Sequence, residues 1–135
     1  MLRKLLGRLA FAATIAFPCA YLGYAADMGF APQTSNEHGI KVTVAPKNNM
    51  AATWDFEVTM ESHIQSLNDD LAKSSVLVAD GTQYAPLSWE GAPPGGHHRK
   101  GLLRFKAIVL QPRSVELQLR LARDVTPRSF KWQSK

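Results

Sequence analysis

The chain has one cysteine in 135 residues, Cys19, and that residue lies in an N-terminal stretch that reads as removable. Without that stretch no thiol is left, which excludes disulfides and thiolate metal centres and leaves an apolar core to hold the fold. The sequence also lacks the common catalytic motifs. It contains no G-x-S-x-G elbow, no phosphate-cradling glycine loop ahead of a helix and no H-E-x-x-H. From Ile40 onward nothing keeps the period of about 3.6 residues that marks a long amphipathic helix. Internal repeats and low-complexity tracts are missing too. What remains points to a non-enzymatic domain built from strands.

The N-terminus explains the removable stretch. Met1 to Arg8 carries Arg3, Lys4 and Arg8 without an acid, and Leu9 to Gly23 is uncharged and apolar. That is the layout of a secretory signal peptide, shorter and sooner followed by polar sequence than a transmembrane helix requires, with an uncleaved leader acting as a membrane anchor as the alternative. Gly23 and Ala25 supply the small residues that a cut after Ala25 or Ala26 requires. Pro18 stands before Cys19 where a lipidation signal needs a small flexible residue, so lipidation is rejected. The expected layout is a signal peptide over 1–25, an arm over 26–39 and one domain over 40–135. The protein is then periplasmic or secreted, with no membrane span after cleavage.

The mature part alternates. Trp54, Phe56, Val58 and Met60 fall on one side of a strand, and Asp55, Glu57, Thr59 and Glu61 on the other. Val115, Leu117, Leu119 and Leu121 repeat the pattern. Ile40 to Val44, Ser75 to Asp80, Gln83 to Trp89, Gly101 to Leu110 and Arg128 to Gln133 complete about seven short strands, and Asp80-Gly81 marks a tight hairpin. Pro86 restricts its strand to a sheet edge. The stretch from Ile64 to Ser74 offers one short turn of helix. This pattern predicts an antiparallel β-sandwich of immunoglobulin-like type.

Charge is unevenly spread. The whole chain carries 16 basic and 11 acidic residues, and three of the basic ones lie in the leader, so the mature chain is 13 − 11 = +2. Residues 26–98 hold three lysines against nine acids, while 99–135 hold ten basic residues against two acids. The basic part has no interleaved aromatic or glycine-rich recognition motif, which argues against a nucleic-acid partner. Its charges are expected to meet the acids across neighbouring strands or to spread over one solvated face.

Chemistry-bearing residues gather around Gly91 to Gly101, "GAPPGGHHRKG". His97 and His98 follow two glycines able to adopt backbone angles that other residues avoid, which would aim one imidazole inward toward His63. Trp89 is expected to pack over this loop with its indole N–H on a backbone carbonyl. Arg99 is expected to pair with Asp69 or Asp70. A binding cluster of His63, Trp89, His97, His98 and Arg99 results, suited to a protein partner or a small ligand. Imidazoles also bind copper and zinc, so His63, His97 and His98 with Asp70 form a candidate metal set, and Glu61, Asp69 and Glu90 are further oxygen donors. The alternative is structural, with one histidine bonding a loop backbone and the other exposed. A hydrolase with a histidine base is a third class, kept only because sandwich loops can host such sites.

Ser62-His63, Asp70-Leu71, Trp89-x-Gly91 and Gly95-Gly96-His97-His98 together resemble a loosely defined group of small exported prokaryotic proteins of unassigned function. The resemblance spans most of Phe56 to Phe105. It implies no activity, only that His63 and His97-His98 belong to one recurring construction.

Overall fold

The computed structural model describes residues 30–47 and 52–133, so the signal peptide expected over 1–25 lies outside the described residues. Nine strands and one helical turn form two antiparallel sheets. β1 (Gln33–Glu37), β2 (Ile40–Pro46), β3 (Thr53–Ser62), β6 (Ser88–Gly91) and β7 (His98–Lys106) make one sheet in the order β1-β2-β3-β7-β6. β4 (Ser75–Ala79), β5 (Thr82–Tyr84), β8 (Ser114–Leu119) and β9 (Arg128–Gln133) make the other, ordered β5-β4-β8-β9. Helix α1 (Leu71–Ser74) is the single turn anticipated between strands, capped by the Asp70 carboxylate, which accepts from the N–H groups of Ala72 and Lys73. Among the described residues no helix is long and apolar enough to cross a membrane.

The inward faces meet in one core. Val42, Val44, Phe56, Val58, Met60, Leu103 and Phe105 from one sheet join Leu77, Leu117, Leu119, Phe130 and Trp132 from the other. Phe56 stands with its ring centroid 5.7 Å from that of Trp132 across the two layers and meets Phe105 edge-on. Alternation on β3 produces this, because Trp54, Phe56, Val58 and Met60 are buried, while Asp55 alone among the residues between them is buried as well.

Three boundaries differ from the sequence reading. The segment read as an arm contributes β1, joined to β2 by the two-residue turn His38-Gly39, where both residues have positive φ. Gln83 to Trp89 is not one strand. It breaks around Pro86, whose missing N–H cannot continue a ladder, and the chain passes there from β5 at the edge of one sheet to β6 at the edge of the other. The strand placed at Gly101 to Leu110 runs instead from His98 to Lys106. Nine strands thus replace the seven expected. Asp80-Gly81 forms the anticipated hairpin turn between β4 and β5, again with both φ positive.

Strand directions sort the connections into two ends. β1, β3, β6 and β8 run toward one end, which collects the turn 38–39, the segment 63–70 and the loops 92–97 and 120–127. All four histidines lie there or at its margin. The opposite end carries the turn 80–81 and the loop 107–113, and there β2 ends at Pro46 and β3 begins at Thr53.

Candidate functional site

The quoted loop is framed by its own first and last residues, because Gly91 on β6 pairs directly with Gly101 on β7. A Cβ on Gly101 would lie 2.7 Å from the Trp89 indole, and one on Gly91 2.4 Å from the Gly101 Cα. Paired glycines therefore make the bed on which the indole lies. From there Trp89 Nε1 donates to Ala92 O at 2.9 Å, as expected of it.

Between the glycines, the loop folds onto the segment after β3. Gly95 (φ 117°) and Gly96 (φ 73°) take the left-handed angles that only glycine adopts easily. They present Gly95 N–H to Leu67 O at 2.7 Å and Gly96 O to Leu67 N–H at 2.9 Å. Ser62 N–H donates to His97 O at 2.9 Å, extending the same pairing. Leu67, fully buried, is thereby pinned over the end of the core.

Arg99 locks the assembly from beneath. β7 places Arg99, Gly101, Leu103 and Phe105 on its inward side, and Arg99 is only 2% exposed. Its guanidinium donates to main-chain oxygens: Asp69 O at 2.7 Å, Leu67 O at 3.3 Å and Ala92 O through Nε and Nη2 at 3.4 and 3.3 Å. The guanidinium carbon also lies 5.6 Å from the Trp89 ring centroid. Burial pushes its pKa below the usual value, and the charges of Asp69 and Asp70 oppose that. The expected carboxylate pair is not formed. The Asp69 side chain instead accepts from Ala122 N–H at 3.0 Å, and that of Asp70 caps α1.

No histidine is aimed into the core. His97 and His98 are both exposed, because the chain enters β7 with His98 on the outward side and Arg99 on the inward one. His97 Nδ1 lies 3.1 Å from Gln65 O, the loop-backbone bond of the structural alternative. His98 Nδ1 lies 3.9 Å from a Glu61 oxygen, and its ring is edge-on to His63 with centroids 6.5 Å apart. The structure thus brings His63 beside His98 but does not gather His63, His97, His98 and Asp70 around one point. Among the described residues only Glu37, His38 and Asp124 bring three metal-ligating atoms within 4.8 Å of one another.

A second buried arginine went unread in the sequence. Arg128, 3% exposed, opens the inward face that Phe130 and Trp132 continue on β9. It donates to the Asp124 carboxylate at 2.9 and 3.3 Å, to Ile40 O at 2.7 Å and to Glu37 O at 2.8 Å. Two signals were present: the acid four residues ahead, and the period of two carried back from Phe130. A cleft of about 360 Å³ is lined by Ile40, whose carbonyl accepts from Arg128, by Asp69, whose carbonyl accepts from Arg99, and by Gln65, Ser66, Asn68, Ala122 and Arg123. Its walls offer amide, hydroxyl, carboxylate and guanidinium groups, a set that suits a polar ligand or the side chains of a partner.

Compared with known proteins, the chain matches no family model, no curated protein and no solved structure.

Proposed function

We propose that the protein is an exported, non-enzymatic accessory or binding module, an immunoglobulin-like sandwich whose histidine end is its recognition surface. The basic and then apolar N-terminus supports export to the periplasm or exterior. Strand order supports the immunoglobulin-like assignment: with β1 set aside, β2-β3-β7-β6 and β4-β8-β9 reproduce the ABED and CFG order, and β5 adds one edge strand.

One observation carries the binding reading. Exposed His63, His97 and His98 and the adjoining cleft are displayed on loops fixed from below by Arg99, so a partner meets a surface that needs little ordering. A photo-crosslinking residue replacing His97 in intact cells should give one discrete adduct, while the same residue at Arg113, at the other end, should not. Equal or featureless labelling at the two positions sinks the reading.

A second reading, a copper or zinc protein, draws on the proximity of Glu37, His38 and Asp124. Against it stands Arg128, which already engages both Asp124 oxygens. Calorimetric titration with Cu(II) and Zn(II) separates the cases. Micromolar or tighter binding lost in His38→Ala supports this group, loss in His63→Ala with His98→Ala supports the original set, and absence of binding removes both.

A further inference from the structure

The end opposite the histidines exposes the one adjacent pair of large apolar side chains among the described residues: Val109 is 95% and Leu110 81% exposed. With Ile108, Ala107, Tyr84 and Lys106 they line an open groove of about 360 Å³. The loop is short and leaves β7 at Lys106 to reach β8 at Ser114, so these residues stand at a tip rather than on a sheet face.

We propose that this tip rests on an anionic lipid bilayer, with Val109 and Leu110 seated at the boundary of headgroups and acyl chains. Charge favours that occupant. Lys106 and Arg113 flank the apolar residues, so the segment 106–113 carries two basic residues and no acid. Basic side chains around a small apolar tip are the composition that anionic lipid surfaces attract.

The path of the chain favours it as well. β1 runs from this end toward the histidines, so Phe30 marks where the preceding chain arrives. Two bonds fix that approach alongside β9: Trp132 Nε1 to Ala31 O at 2.8 Å, and Lys131 N–H to Gln33 Oε1 at 3.1 Å. Only residues 24–29 separate Phe30 from the apolar run Leu9 to Gly23. Six residues reach at most about 20 Å. While that run is in the bilayer, before cleavage, this end of the sandwich is the nearer one to the membrane. This rests on the export reading for the presence of the bilayer in the cell, but the contact itself is tested without export.

The test uses the full chain carrying Cys19→Ser and one new cysteine, Val109→Cys at the tip or Val125→Cys in the exposed loop at the other end, labelled with an environment-sensitive fluorophore. The probe is a vesicle of phosphatidylcholine with phosphatidylglycerol at roughly one part in four. The label at 109 should shift to the blue and be quenched by nitroxide placed near the headgroups, the label at 125 should keep its aqueous spectrum, and Lys106→Glu should reduce the shift at 109. Vesicle binding with an unshifted label at 109 means that the leader alone holds the protein, and overturns the proposal. Equal shifts at 109 and 125 do so too, as does a concentration-dependent shift at 109 without vesicles, which would mark a second copy of the chain. Failure of the chain to leave the cytoplasm, read by fractionation, would overturn export and leave the vesicle result standing.

Discussion

The two ends of the sandwich solve the same problem in opposite ways. At each, the inward row of a strand runs out and the core must be closed. At the histidine end an arginine occupies the first inward position of β7 and of β9, and loops fold down so that their carbonyls meet its N–H groups. At the other end the loop after β7 lets Val109 and Leu110 stand outside. A guanidinium with five donors can close a core only if the backbone bends to satisfy it, so the histidine end is held in one shape, whereas an aliphatic tip constrains nothing. Rigidity lies where recognition is proposed, and exposed apolar surface lies where a bilayer is.

The difference is broken most severely at Arg128. Arg128→Met leaves the Asp124 carboxylate, 2% exposed in its side chain, without its counterion. Removing one partner of a buried pair costs about 3–5 kcal/mol, a fall in Tm on the order of 15 °C for a domain of this size. Adding Asp124→Leu should restore much of it, since the loss comes from a stranded charge. Val109→Ser at the other end should leave the unfolding midpoint within about 0.5 kcal/mol. Denaturant unfolding of the three variants checks the contrast, and a large loss from Val109→Ser would invert it.

Arg99→Lys should cost less, and the reason lies in its acceptors. Ala92 O keeps the Trp89 indole and Leu67 O keeps Gly95 N–H, so only Asp69 O loses its principal donor. A part-buried carbonyl left without that donor costs no more than about 1–3 kcal/mol, the figure for a buried one. The sharper readout is local. Hydrogen exchange at the N–H groups of Leu67 and Gly95 should accelerate, while β8 and β9 amides keep their protection once the change in global stability is subtracted. Uniform acceleration through the whole domain would show that Arg99 is not a clamp for this loop.

Legibility in the sequence followed the same division. Where apolar and polar residues alternate, as on β3 and β8, period two located the strands and their inward faces. The acidic and basic parts do meet across neighbouring strands: β7 sets Arg104 opposite Asp55 and beside Glu90 of β6, and Lys100 reaches Glu57. Hydropathy assigns a guanidinium to solvent, so Arg99 and Arg128 do not read as inward residues from composition; for Arg128 the period of two carried back from Phe130 and the acid four residues earlier are the signals that point the other way. The turn at His38-Gly39 was missed for a local reason, since histidine is a rarer occupant of the left-handed region than the asparagine or aspartate that usually precedes glycine there. Of the histidine pair neither ring is inward, and His98 stands beside His63 on the outside instead. Adjacent residues entering a strand face opposite sides, so once Arg99 is inward His98 cannot be.

The smallest effect lies on the outward side of the same strands and is visible as a pH dependence. Glu57 has its pKa lowered chiefly by a hydrogen bond from Lys47, at 3.1 Å, with burial opposing and the charges of Lys47 and Lys100 adding to the effect. Glu116 is lowered in the same direction, first by the Ser129 hydroxyl. A carboxylate depressed on folding binds fewer protons folded than unfolded. Its stabilisation is complete above the ordinary value of 4.5 and is lost as pH falls through the lowered one. Because Glu57 and Lys47 are solvent-accessible, the contribution stays below about 1 kcal/mol and fades in salt. Lys47→Ala should therefore lower the urea midpoint slightly at about pH 6, and the two curves should converge as Glu57 protonates below its ordinary range. A gap of constant size down to about pH 3 would mean that Lys47 acts through packing rather than through the carboxylate.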